Sequence, residues 1–248
     1  MDEWFKEWFD ADYAAIYGHR DAREAAAAVA MALAQAPVLA SGPVLDLGCG
    51  AGRHLAVLRQ SNPQAFGLDL SRDLLGLAPE YLRPWLLRGD MRRLPVQPAS
   101  LAGICLWFTP FGYFSDSENR ALLQRLQGLL RPEGVLVLDY LNAVQVRAQL
   151  VPEDVTRHGD IEVHSRRALE RDRLVKRMTL THLATGRTRQ AKESLRLYDP
   201  RDLRAMARHC GLEVACEVGD YQGAPFVPER SSRWIGFLRR AQSDTMNH

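Results

Sequence analysis

The chain has 248 residues, 46% hydrophobic and 25% charged, with 18 Gly and 13 Pro. That is the composition of an ordinary globular protein, and it excludes a mainly disordered, collagenous or low-complexity chain. A formal net charge of +2 is too small to argue by itself for nucleic acid or a membrane as partner, and no apolar run approaches the roughly 20 residues of a membrane span.

The elements follow in chain order. Residues 1–36 read as helices: Asp21 and Glu24 have capping-box spacing, and an Ala-rich run follows until Pro37 ends it. Strands are predicted at Val44–Leu47, Ala65–Leu70, Trp85–Arg88, Gly103–Phe108 and Val135–Tyr140. Helices are predicted near Gly52–Gln60, Ser71–Ala78 and Glu118–Leu130, the last capped by Ser115. Runs that are apolar on both faces and alternate with helices argue for a parallel sheet covered on each side. After Tyr140 the rhythm changes. Residues 155–198 alternate polar and apolar around a turn at Thr185–Arg187, which is antiparallel patterning. The stretch 151–208 is the basic part, with fourteen Arg and Lys against nine Asp and Glu. Asp199 and Pro200 then open a helix that Gly211 closes, and strands are expected at Leu212–Val218 and Arg233–Arg239. The expected organisation is a doubly wound α/β core (residues 37–150 and 199–248), an N-terminal helical lid (1–36) and an antiparallel β insert (151–198). The insert is expected to face substrate, to complete the lid, or to contact a second copy in a homodimer.

The four cysteines, Cys49, Cys105, Cys210 and Cys216, form no CxxC pair, so no disulfide framework and no metal are expected. The start, MDEWFKEWFDADY, is acidic and aromatic where a secretory leader is basic and then apolar, and the cytoplasm is the expected compartment.

The most informative segment is VLDLGCGAGRH, residues 44–54. A strand runs into Gly48, Gly50 and Gly52, and a helix begins behind them. Small residues there let a ligand approach the backbone, and a helix N-terminus offers free N–H groups. Asp69 ends the next strand, nineteen residues after Gly50, where an acid can accept from both hydroxyls of a ribose. Asp90 ends the third strand. A dinucleotide fold wants GxGxxG, but Arg53 stands at the third glycine position, which weighs against a nicotinamide-dependent oxidoreductase.

The glycine loop with Asp69 and Asp90 resembles the class I S-adenosylmethionine-dependent methyltransferases. That resemblance implies a Rossmann-like sheet of seven mostly parallel strands in the order 3-2-1-4-5-7-6, with the last strand antiparallel. It also implies residue roles. Gly48, Cys49, Gly50 and Gly52 would face the methionine part of the cofactor, with Asp46 near its amino group. Asp69 would hold the ribose hydroxyls with Leu70 against the adenine, and Asp90 would accept from the adenine amino group with Met91 packed on the ring. Phe108 would lie beside the cofactor. The N-terminal aromatics, the GDMR of residues 89–92, the FTPFGYF of residues 108–114 and the basic insert look like small-molecule N-methyltransferases, of the antibiotic-sugar N,N-dimethyltransferase kind. In that group Tyr13 and Tyr17 would fold over the cofactor. Pro110 departs from the pattern, standing where a small residue such as Ser is common.

The acceptor is less legible. Methyl transfer is an in-line displacement that orientation and exclusion of water largely drive, and a base is needed only for a nucleophile that arrives protonated. Open α/β sheets bind ligands at the carboxyl ends of their strands, which nominates Tyr113, Asp139 and Asn142, with His164, His182, Arg196 and Tyr198 from the insert. Tyr113 and His164 are the candidate catalytic residues. The expected function is methyl transfer to nitrogen or oxygen of a small molecule. The alternatives are an RNA or ribosomal methyltransferase using the basic insert as a phosphate track, and a cofactor-binding protein without turnover.

Overall fold

The protein, described here from a computed structural model over residues 3–18 and 22–241, begins with three helices: α1 (Phe5–Trp8), α2 (Ala11–Ile16) and α3 (Ala22–Gln35). Asp10 caps α2, its carboxylate accepting the N–H groups of Asp12 and Tyr13 at 3.0 and 3.2 Å. The Asp21 half of the expected capping box lies outside the described residues. The core follows as β1 (Val44–Leu47), α4 (Arg53–Ser61), β2 (Ala65–Asp69), α5 (Arg72–Gly76), β3 (Leu86–Arg88), β4 (Leu101–Leu106), α6 (Asp116–Leu129) and β5 (Leu130–Leu141). Ser115 and Glu118 close the capping box of α6. After α7 (Ala143–Ala148) come four strands, β6 (Glu153–His158), β7 (Ile161–Glu170), β8 (Arg173–His182) and β9 (Thr188–Arg196). The last described elements are α8 (Pro200–His209), β10 (Leu212–Val218) and β11 (Arg233–Arg240).

The core sheet has the order β3-β2-β1-β4-β5-β11-β10. All its pairs are parallel except those of β11, which runs antiparallel to both β5 and β10. This is the order 3-2-1-4-5-7-6 of the sequence reading. All six residues of β4 are buried, as a central strand covered on both faces requires. Leu45, Leu47, Ile104 and Leu136 pack toward Leu122 and Leu126 of α6 on one face. Val44, Val135 and Val137 pack toward Val29 of α3 and Leu55 and Leu58 of α4 on the other. Each such side chain contributes about 1.5–3 kcal/mol on burial.

Several boundaries depart from expectation, the largest at β5, which begins at Leu130, five residues before its predicted start. β4 stops at Leu106, because Phe108 and Thr109 take left-handed φ angles of 62° and 67° that no strand accommodates. A 3-10 helix over Glu80–Trp85 takes Trp85 from β3. α7, too short to show a helical period, starts where the Asn142 side chain accepts the Val144 N–H at 3.1 Å.

β6 to β9 form a separate antiparallel sheet in chain order. Its inward face carries Ile161, Val163, Met178 and Leu180, all buried, together with Lys176, Arg189 and Glu193. The Arg173 guanidinium staples this sheet to the loop after β4 by donating to the carbonyls of Gly112, Tyr113 and Phe114 at 3.2, 2.9 and 3.1 Å. The N-terminal helices dock on the same inward face. Trp8 Nε1 and the Tyr17 hydroxyl both donate to Glu193 Oε1, at 2.7 and 2.9 Å, and Arg189 pairs with Asp10 and Asp12.

Candidate active site

The turn after β1 is built on left-handed glycines, Gly48 at φ 76° and Gly50 at φ 55°, a region that costs other residues about 1–2 kcal/mol. A Cβ on Gly48 would stand 3.1 Å from Pro110 Cβ, so glycine is what lets the loop after β4 close against the glycine loop. Asp69, at the end of β2, accepts the Gly50 N–H on Oδ2 at 2.7 Å and the Ser71 N–H on Oδ1 at 2.8 Å. Its burial raises its pKa above the ordinary carboxylate value, against the opposing pull of those backbone donors. Each carboxylate oxygen has two lone pairs, so both retain acceptor capacity.

These residues border one cleft of about 1220 Å³ counted out to its open mouth. Gly48, Cys49, Gly50, Asp69, Leu70, Asp90, Met91, Phe108, Tyr113, Tyr13 and Tyr17 all line it. Asp90 is held by Arg92, whose Nε reaches Oδ1 at 3.0 Å and whose Nη2 reaches Oδ2 at 2.7 Å. Burial alone would raise the Asp90 pKa, but the Arg92 hydrogen bonds and charge bring it below the ordinary value. Tyr113 packs edge-on to Trp4, with centroids 4.9 Å apart, and lies 5.9 Å from Phe9. The Tyr13 and Tyr17 rings stand 4.7 Å apart.

Several expected residues lie elsewhere. His164 is not on the cleft. It sits on the half-exposed outward side of β7, paired with Glu153, because Val163 and Ser165 take the buried face and strand side chains alternate. Gly52 is turned away as well: a Cβ there would meet Leu82 at 2.4 Å, so it serves packing and the left-handed entry to α4. Asp46 lies under the glycine loop at 1% exposure, not at its edge, since both faces of β1 are covered. Its Oδ2 has no hydrogen-bond partner, and burial, followed by the charge of Asp69, raises its pKa to about 7. Among the residues nominated from strand ends, Asn142 bonds the carbonyls of Pro228 and Ser231, and Tyr198 donates to Asp116 at 2.6 Å. Asp139 is wholly buried in an ion pair with Arg233.

Other cleft residues were not singled out from sequence. Phe5 and Phe9 line the cleft with Tyr13 and Tyr17; the four-residue spacing 5-9-13-17 was a visible signal, although a break between α1 and α2 interrupts it. His54 stacks on Trp107 with centroids 5.1 Å apart. Burial, reinforced by the charges of Arg53 and Arg233, pushes its pKa well below the usual histidine value, so the ring is neutral.

With this geometry the chain can be set beside known proteins. Residues 44–134 match the methyltransferase domain family. A stretch of 119 residues is 34% identical to a dTDP-3-amino-3,6-dideoxy-alpha-D-glucopyranose N,N-dimethyltransferase of Streptomyces fradiae, covering 47% of this chain and 46% of that protein. Another of 106 residues is 37% identical to a carboxy-S-adenosyl-L-methionine synthase of Chromohalobacter salexigens, covering 38% of each. The matched segments thus span less than half of either relative. Among solved structures, a methyltransferase from Streptomyces caelestis superposes with a TM-score of 0.79 at 19% identity, covering 96% of this chain and 99% of that one. An amino pentose methyltransferase from Micromonospora echinaspora superposes with a TM-score of 0.68 at 24% identity, covering 93% and 97%. The fold is that of these S-adenosylmethionine-dependent methyltransferase structures, and the segment that carries the glycine loop, Asp69 and Asp90 is the one that matches the methyltransferase domain family.

The cleft suits that cofactor on this chain's own geometry. Gly48 and Gly50 keep the loop backbone bare, half-buried Asp69 presents acceptors beside it, and Leu70, Leu74 and Met91 supply apolar walls.

Proposed function

We propose that this chain transfers a methyl group from S-adenosylmethionine to nitrogen or oxygen of a small molecule. The observation that carries this reading is a single cleft in which the glycine loop and Asp69 face an aromatic wall of Phe5, Phe9, Tyr13, Tyr17 and Tyr113. When bound, S-adenosylmethionine supplies an electrophilic methyl carbon on a positively charged sulfonium. Gly48, Cys49 and Gly50 admit its methionine part, Asp69 orients the ribose, and Leu70, Asp90 and Met91 hold the adenine. Tyr13, Tyr17 and Phe108 offer aromatic faces, which attract a cation by about 0.5–2 kcal/mol, and they exclude water. Tyr113 borders the acceptor and orients it for in-line attack, the arrangement from which most catalysis of this reaction comes. An acceptor arriving as a neutral amine needs no base from the protein.

The basic insert favours a small acceptor over RNA. Arg173, Arg189 and Arg196 are engaged by the loop after β4, the N-terminal helices and Asp116. Arg166, Arg167 and Arg177 pair with Glu153, Asp154 and Glu170. Cations engaged in this way make a poor phosphate track. Among the described residues no helix is long and apolar enough to cross a membrane. The reading is tested by incubating the protein and methyl-labelled cofactor with panels of amines, amino sugars, phenols and RNA. Label in a small molecule supports it. Label in RNA alone, or cofactor binding without turnover on any panel, overturns it.

A further inference from the structure

Two successive non-glycine residues of the loop after β4, Phe108, which lines the cleft, at φ 62° and Thr109 behind it at φ 67°, occupy a conformation that persists only where the surroundings over-determine it. Asp139, at the end of β5, answers both. Its Oδ2 accepts the Phe108 N–H at 2.6 Å, and its main-chain carbonyl accepts the Thr109 N–H at 2.9 Å. The same carboxylate takes the Tyr221 hydroxyl at 2.6 Å and the Arg233 guanidinium. Arg233 donates onward to Thr109 Oγ1 at 2.9 Å and lies 4.7 Å from the centroid of the Phe108 ring. Leu141 N–H reaches the same Oγ1 at 3.0 Å. Phe108 lines the cleft, whereas Asp139 and Arg233 do not. Stability alone is a weak reason for such a pair, since a buried ion pair is often no better than well-packed apolar side chains of similar volume.

We propose that Asp139 and Arg233 are positioning residues for the cofactor-facing wall. They lock the Phe108–Thr109 backbone so that the Phe108 ring stands at the cleft and Pro110 closes over Gly48. Arg233 does this through its planar fork, with Nε on Asp139 and Nη2 on Thr109, a geometry that a lysine cannot reproduce. The inference rests on the reading of the cleft as an S-adenosylmethionine site.

The test is calorimetric titration with S-adenosylhomocysteine, with thermal melting of each protein alongside. Arg233→Lys keeps a charge beside Asp139 but loses the fork. The double variant Asp139→Asn with Arg233→Met leaves no unpaired charge in the core. Both are expected to melt cooperatively and to bind S-adenosylhomocysteine about tenfold more weakly than wild type, as release of a locked, strained turn implies. Wild-type affinity in either folded variant overturns the proposal. So does rescue by Arg233→Lys of binding as well as stability, which would reduce Arg233 to charge neutralisation. Wild-type protein that fails to bind S-adenosylhomocysteine overturns the cofactor reading instead.

Discussion

Asp69 offers the sharpest test of the cofactor geometry. Asp69→Asn preserves the shape of the side chain but converts one oxygen into an N–H donor. In the wild type, both oxygens already accept backbone N–H groups, from Gly50 at 2.7 Å and Ser71 at 2.8 Å. The amide can satisfy only one of them, and its remaining oxygen is a neutral acceptor. Hydrogen bonds to a charged group contribute about 1.5–3 kcal/mol each, roughly twice their neutral counterparts. The two ribose hydroxyls then face one neutral oxygen and an N–H group, and loss of one hydroxyl bond with weakening of the other should cost about 2–4 kcal/mol of cofactor affinity, roughly 30- to 900-fold. Calorimetric titration with S-adenosylhomocysteine measures this directly. An analogue lacking both ribose hydroxyls completes a double-mutant cycle: it should bind weakly to the wild type and lose little more on Asp69→Asn. A folded variant that binds within about threefold of wild type, or losses that simply add across the cycle, would refute the ribose assignment.

Other expectations follow from the same geometry. Asp46 has a folded pKa of about 7 against an ordinary 3.8, so the native state holds this proton more tightly than the unfolded chain. Its contribution is therefore favourable at low pH and lost as pH rises through the window from about 4 to 7. Asp46→Asn should flatten that slope and stabilise the ligand-free protein at pH 8 by up to about 4 kcal/mol; denaturant unfolding at pH 5 and pH 8 would show it, and an unchanged slope would contradict it. Gly52→Ala, at φ 78° and 2.4 Å from Leu82, should cost about 2–4 kcal/mol of stability while S-adenosylhomocysteine affinity holds; a loss under 1 kcal/mol in urea unfolding would count against the packing role. If α1 and α2 form a lid, hydrogen exchange across residues 4–17 should slow on adding S-adenosylhomocysteine, and equal protection in both states would make them fixed structure.

The chain's local chemistry determined the architecture. Apolar runs that alternate with helices, the glycine loop and the acids at two strand ends are short-range signals; they mark the strands and most residues on one side of the cleft, while the strand order came from the family resemblance that those motifs carry. Period-2 patterning likewise marked residues 155–198 as a separate antiparallel sheet. It could not say which side of that sheet faces inward, and so His164 was nominated for a cleft it does not reach. The same limit applies to Asp139, Asp46 and Gly52, whose positions near strand ends or in the loop are local facts. Their burial, partners and facing are set by residues far away in sequence, such as Arg233 against Asp139 and Leu82 against Gly52. The basic insert shows the same division. Its excess of arginine is plain in the sequence, but the partners of Arg173, Arg189 and Arg196 are not, because the loop carbonyls and carboxylates that satisfy them are brought there only when the sheet packs on the core. Periodicity and turn chemistry act over a few residues and can be read directly; burial, pairing and facing depend on contacts between distant segments, which only the folded chain brings together.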